Sequence, residues 1–171
     1  LGNKVYRMPL IVKIGIFLYY YRSLIAIPFF ILLFFFKNPD NNLLPHLFII
    51  SGVLLRLWSS GYIGKKARSR TPTAECRIKG GPYTIFKHPL YIGNFFLVLG
   101  TVLLYNPPLW LKFFLIFAFI FEYSIITIAE EYNLKGLNVC YAKFCYKNMV
   151  SEFSTIMIIG IIYLLIFIFD K

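Results

Sequence analysis

The chain has 171 residues, of which 59% are hydrophobic, 20% aromatic and only 15% charged, with a formal net charge of +11. A water-soluble domain of this length carries more charge and shorter apolar runs, so the composition excludes an ordinary soluble enzyme. The excess of Lys and Arg would point to nucleic acid in a soluble protein; here it reports topology and an anionic membrane surface, and no nucleic-acid partner is expected.

A membrane-crossing helix needs about 20 mostly apolar residues. Residues 11–36 form the first such run, with Pro28 inside it, which a membrane helix tolerates. That run is too long for the apolar core of a signal peptide and no small-residue cleavage pattern follows it, so it is expected to stay as a helix. The helix breakers from Lys37 to Asn42 mark a turn, and residues 43–63 form the second run. A long polar stretch, 64–87, precedes a third run over 89–105. Asn106, Pro107 and Pro108 turn the chain into a fourth run over 109–129. Residues 130–148 are polar with helical periodicity, Leu134, Leu137, Tyr141 and Phe144 forming an apolar stripe that predicts an amphipathic surface helix. Residues 153–169 are a fifth apolar run. The expected fold class is all-α, a polytopic membrane bundle of about five spans forming one domain over 1–171.

Basic residues give the orientation. The segment 64–87 carries Lys65, Lys66, Arg68, Arg70, Arg77, Lys79 and Lys87 against the single acid Glu75. The N-terminal segment adds Lys4, Arg7 and Lys13, and Lys135, Lys143 and Lys147 follow the fourth run. Five spans with a cytosolic N-terminus put all of these on the cytosolic side, both nearly neutral turns on the other, and Asp170 and Lys171 outside the cytosol. Cys76, Cys140 and Cys145 contain no CxxC pair and lack acidic or His neighbours at zinc-ligand spacing, so no metal is expected and three reduced thiols are.

Two segments hold most of the unusual residues. Gly80, Gly81 and Pro82 make a tight turn where backbone can approach a ligand closely. His88 is held out of helical geometry by Pro89, which suits the first position of the third helix. The free N–H groups at that helix start favour an anion such as a carboxylate, and Gly93, one turn on, leaves a gap beside them. Glu130 and Glu131 close the fourth run, where acids oppose the helix dipole and call for an offsetting partner. The plain readings are a loop entering a helix and a surface helix with an interfacial acid pair. Arg56 and Glu122 stand inside apolar runs, where ionisable groups face a bundle interior or cavity; a mutual ion pair is the structural alternative.

The order Arg56-Leu-Trp-Ser-Ser-Gly-Tyr-Ile-Gly-Lys65, then Gly81-Pro-Tyr and Lys87-His-Pro-Leu-Tyr-Ile-Gly93, then Glu130-Glu131 with Leu134, Tyr141 and Phe144, resembles the isoprenylcysteine carboxyl methyltransferase family and its phospholipid methyltransferase relatives. The resemblance covers roughly residues 53–150. It implies an integral membrane methyltransferase using S-adenosylmethionine in a cytosol-facing pocket, with a lipophilic acceptor arriving from the bilayer and membrane lipids as partners. Carried over, it makes Arg56, Glu130 and Glu131 candidate catalytic residues. Gly81, Tyr83, Lys87, His88, Pro89, Tyr91, Gly93 and Glu131 become candidate cofactor ligands. Lys87 stands where the family commonly has arginine, Leu137-Asn138 replaces the usual Phe-Gly pair, and 153–169 extends past many short relatives. The acceptor stays open among carboxylate, thiol and amine, prenylcysteine being the best-known case. A sterol-type reductase using NADPH and a non-enzymatic lipid-binding bundle are the alternative readings.

Overall fold

The computed structural model describes residues 8–38, 42–63 and 76–169. Lys4, Arg7, Lys65, Lys66, Arg68, Arg70, Glu75, Asp170 and Lys171, which carry part of the expected charge asymmetry, lie outside the described residues, as do Pro39, Asp40 and Asn41 of the first turn. Five helices carry the chain: α1 (Leu10–Phe35), α2 (Leu43–Ile63), α3 (Pro89–Tyr105), α4 (Leu109–Leu134) and α5 (Phe153–Phe169). Strand β1 (Arg77–Lys79) and a 3-10 turn (Gly81–Thr84) lie between α2 and α3; strand β2 (Val139–Tyr141) and a 3-10 turn (Tyr146–Glu152) lie between α4 and α5.

Continuous Leu, Ile and Phe runs become helices because a lipid environment offers no partner for backbone N–H and C=O groups outside the segment itself. Prolines set the starts. Pro9 and Pro108 stand as the caps of α1 and α4, their carbonyls accepting from Val12 and Leu111, and Pro89 opens α3. Asn106, in the left-handed region at φ 48°, closes α3. Helix α1 continues through Pro28.

By length and composition, α1, α2, α4 and the stretch Tyr146–Ile166 can each cross a membrane, whereas α3 has 17 residues. It nonetheless runs the length of the bundle beside α2 and α4. Gly93 and Gly100 of α3 face Gly52 and Ile49 of α2, and Tyr91 and Phe95 face Tyr123 and Phe119 of α4, so α3 runs antiparallel to both neighbours. Its length, about 26 Å at 1.5 Å per residue, is close to the apolar thickness of a bilayer. The outward faces carry Leu24, Ile31, Leu54, Phe117 and Ile158, all more than half exposed or at half exposure, a surface suited to lipid and prone to aggregation in water. The protein is a membrane helical bundle.

Helix α2 packs chiefly on α3 and α1 on α4, with α3 also touching α4. Both main seams depend on glycine. A Cβ at Gly93 would sit 2.6 Å from Arg56 Cγ, one at Gly52 would sit 2.9 Å from the Gly93 carbonyl oxygen, and one at Gly15 of α1 would sit 2.6 Å from Ala129 Cβ of α4. Small residues let membrane helices approach closely enough for dispersion contacts to hold them. At one end of the bundle Leu33, Ile49, Val102, Leu104, Tyr105, Leu111, Leu115 and Ile162 form the apolar core. Both short turns gather there, Asn38 N–H donating to the Tyr105 carbonyl and Lys112 to Asn106 Oδ1. Helix α5 is tied to α2 by His46, whose ring stacks on Tyr163 and whose Nδ1 lies 2.6 Å from its hydroxyl. The starts of α1 and α3, the ends of α2 and α4, and both strands lie at the opposite end.

Two expectations need correction. The segment 130–148 is not one amphipathic helix: α4 runs through Glu130 and Glu131 to Leu134, Gly136 turns at φ 83°, and β2 then pairs in parallel with β1, Val139 opposite Arg77 and Tyr141 opposite Lys79. Leu134, Tyr141 and Phe144 therefore do not share a stripe; Phe144 packs on Tyr62 and over Gly61. Nor are all three cysteines reduced. The strand register brings Cys140 beside Cys76, the two form a disulfide with Cα atoms 5.7 Å apart, and Cys145 is free. A sequence separation of 64 hid that proximity.

Candidate active site

The strand end of the bundle collects the polar residues singled out in the sequence. Gly80 and Gly81 have φ of 148° and 49°, and the Tyr62 ring lies against both, so a Cβ at Gly81 would fall 2.3 Å from Tyr62 Cε2. The open side of Gly81 is thus taken by Tyr62. The turn sends Tyr83 inward, and its hydroxyl is buried without a hydrogen-bond partner among the described residues. Burial, then the Glu130 charge, pushes the Tyr83 phenol above its ordinary range, so it stays protonated. His88 caps α3 and Pro89 is buried at its first position.

Three side chains, Arg77, Lys87 and His88, converge on the two carboxylates at the end of α4. Arg77, delivered by β1, places Nη2 2.6 Å from Glu131 Oε2, and Lys87 Nζ is 2.9 Å from the same oxygen. The His88 ring stands between two carboxylates, Nδ1 3.2 Å from Glu130 Oε2 and Nε2 3.1 Å from Glu131 Oε1. The cations offset both the mutual repulsion of the acids and the negative end of the α4 dipole. Tyr91, in the first turn of α3, stacks on His88 with ring centroids 5.5 Å apart and faces the Glu130 carboxylate. Gly81, Tyr83, Lys87, His88, Pro89, Tyr91, Glu130 and Glu131 are thereby gathered at one end, while Gly93 stands apart, its missing side chain replaced by the stem of Arg56.

Arg56 does not pair with Glu122. Its Nε donates to Glu152 Oε2 over 2.8 Å, Nη2 lies 2.7 Å from the same oxygen, and Nη1 donates to Asn94 Oδ1. Asn94 Nδ2 donates in turn to the Tyr123 hydroxyl over 2.9 Å. Glu152 is 1% exposed and Arg56 11%, so this is a buried ion pair joined to a hydrogen-bond chain across three helices. The 3-10 turn reaches it because Ser59, Ser60 and Gly61 leave room at the end of α2; the Gly61 carbonyl accepts from the Cys145 N–H and from Asn148 Nδ2.

Beneath the polar cluster lies a cavity of about 430 Å³ between α1, α3, α4 and α5. Arg22, Arg56, Tyr91, Asn94, Glu122, Tyr123 and Glu130 line it together with apolar residues such as Phe30, Leu33, Val102, Leu115 and Ile162. Glu130 and Tyr91 belong both to the cavity and to the cluster around His88, so they form the junction between the two. Arg22, Asn94, Tyr123 and Glu152 escaped the sequence reading. Arg22 carries the same signal as Arg56, a cation inside an apolar run; Glu152 borders a span and showed none.

A family model described as phospholipid methyltransferase matches residues 41–137, more than half of the chain. The chain is 27% identical over 122 residues to a protein named phosphatidylethanolamine N-methyltransferase B from Dictyostelium discoideum, an alignment covering 68% of this chain and 60% of that one. The chain therefore spans less than two thirds of that relative's length. No solved structure matches it.

Proposed function

The chain belongs to the phospholipid methyltransferase family, and from that membership we propose that it is an S-adenosylmethionine-dependent methyltransferase whose acceptor is the amine of a membrane phospholipid headgroup. The family and the relative's name together favour an aminophospholipid over a prenylcysteine carboxylate, a choice the residues alone leave open. The observation that carries the reading is the junction at Glu130 and Tyr91, where a charged cluster at the membrane boundary opens onto a cavity with one polar and one apolar end. A polar donor suits the first and a lipid suits the second.

The side chains present fit the donor's charges. Arg77, Lys87 and the start of α3 offer cationic and N–H groups to a carboxylate, Glu130 and Glu131 offer anionic groups to an ammonium, and the orphaned Tyr83 hydroxyl awaits a polar partner. When bound, S-adenosylmethionine supplies a methyl group on a positively charged sulfur. The remaining work falls to the chain. An amine acceptor attacks only with its lone pair free, so a base must take its proton, and Glu130 lies at the junction with His88 beside it to carry that proton toward the boundary. Tyr91 and Tyr123 present aromatic faces that shape the passage, and methyl transfer itself asks mainly for close alignment of the reacting atoms. The excess of Lys and Arg on the segments of this end supports a cytosolic orientation for the site.

The test is S-adenosylmethionine binding by calorimetry on detergent-solubilised protein, paired with methyl transfer to phosphatidylethanolamine in nanodiscs. His88→Ala and Glu131→Ala should abolish saturable binding, and Glu130→Gln should cut turnover by about 100-fold or more. Folded wild-type protein that binds no S-adenosylmethionine ends the methyltransferase reading.

A further inference from the structure

The lining of the cavity includes two ionisable side chains that the mechanism above leaves unused. Arg22 lies near the middle of α1 and Glu122 near the middle of α4. The seam contacts Gly15 to Ala129 and Phe29 to Phe114 show that α1 and α4 run antiparallel, which sets Arg22 and Glu122 at one level. Arg22 stacks on the Tyr19 ring, 4.4 Å from its centroid, yet among the described residues it has no carboxylate within ion-pair distance. Glu122 Oε1 is buried with no hydrogen-bond partner among the described residues. Arg22, Glu122, Tyr91 and Tyr123 all line the one cavity.

An uncompensated cation and an orphaned carboxylate at membrane depth are costly for a purely structural bundle. The neighbouring Arg56, on the same cavity, has its charge met within the chain, with Glu152 and Asn94 in direct contact. Arg22 and Glu122 instead face shared space, and beyond them the cavity becomes apolar at Phe30, Leu33 and Ile162. A guanidinium, a carboxyl group and an apolar far end in one cavity complement a lipid whose headgroup carries one charge of each sign.

We propose that Arg22 and Glu122 form a recognition site for the zwitterionic headgroup of an aminophospholipid, Arg22 meeting the phosphodiester and Glu122 the amine-bearing side. The assignment rests on the aminophospholipid reading given above for the acceptor. Arg22 suits a phosphodiester because its guanidinium can make two parallel hydrogen bonds to phosphate oxygens, and Glu122 disfavours lipids of net negative charge. Both are positioning and selectivity residues; Glu130 remains at the reacting end.

Binding rather than turnover tests this site. Detergent-solubilised full chain is titrated with short-chain phosphatidylethanolamine, phosphatidylglycerol and diacylglycerol, with methyl transfer measured separately. Wild-type protein should bind phosphatidylethanolamine in preference to both others. Arg22→Gln should weaken that binding about tenfold or more while Arg22→Lys keeps part of it, the lysine retaining the charge but not the fork. Glu122→Gln should erase the preference over phosphatidylglycerol. Unchanged S-adenosylmethionine binding by the variants certifies their fold; should Arg22→Gln fail it, Arg22→Lys and Glu122→Gln carry the decision. Equal binding of phosphatidylethanolamine and diacylglycerol by the wild type, or full affinity in the variants, overturns the site. Headgroup-selective binding that depends on Arg22, without any methyl transfer, leaves the site standing and sinks the catalytic reading instead.

Discussion

Arg56 illustrates how a buried charge is held in this protein. Its guanidinium is shared between Glu152 and Asn94, and Asn94 reaches on to Tyr123, so one cation joins α2, α3, α4 and the turn before α5. Removing one partner strands the other in a low-dielectric interior, which costs about 3–5 kcal/mol, whereas removing both costs far less. Arg56→Leu or Glu152→Gln should each lower the thermal unfolding temperature of the solubilised protein strongly. The double variant Arg56→Leu/Glu152→Leu should recover most of that loss, and purely additive losses would show that the pair is uncoupled. The cost of a charge at membrane depth is readable from one sequence, which is why Arg56 stood out. Its partner is not readable, because Glu152 lies 96 positions away and beyond the family match at 41–137.

At the scale of elements, the helices follow from apolar run length and the prolines that start them, and their bounds lie close to those expected. The exception is the stretch after Glu131. Periodicity there mimics a helix, but Gly136 at positive φ and the pairing of β2 with β1 decide otherwise, and that pairing depends on a segment more than 50 residues earlier. The α2–α3 seam gives a direct test of close packing. Gly93→Ala should destabilise the protein by about 1–3 kcal/mol, since its Cβ meets Arg56 and the Gly52 backbone, read as a lowered unfolding temperature. Gly160→Ala on α5, where a Cβ meets nothing within 4 Å, should change stability by less than about 0.5 kcal/mol. Equal effects at the two glycines would rule out the tight seam.

Across the whole molecule, one end is apolar and closed while the other gathers both strands, the charged cluster and the disulfide. Cys76–Cys140 fastens the segment after α4 to the segment before α3, and so braces the two stretches that bring Arg77 and Glu131 together. Protein purified without reductant and alkylated under denaturing conditions should be labelled at Cys145 alone, and at all three cysteines after reduction. Labelling of all three without reductant would remove the disulfide from this account and restore the expectation of free thiols. In protein alkylated directly in cells, three labelled cysteines would agree with a cytosolic site end, whereas labelling of Cys145 alone would put that end in an oxidising compartment.

Residue order alone is enough to reveal a membrane bundle, the course of its helices, its family, and the grouping of Lys87, His88, Glu130 and Glu131. Those properties are local or are carried by a contiguous motif, so run length, composition and spacing suffice to reveal them. Tertiary packing is needed to show which acid Arg56 pairs with, that Cys76 meets Cys140, that β2 replaces a helix, and that Arg22 and Glu122 share a cavity. Each of these depends on how antiparallel helices and a parallel strand pair fix the relative height of residues far apart in the chain. In a lipid-facing sequence that is apolar on nearly every side, periodicity carries too little contrast to show which face turns inward.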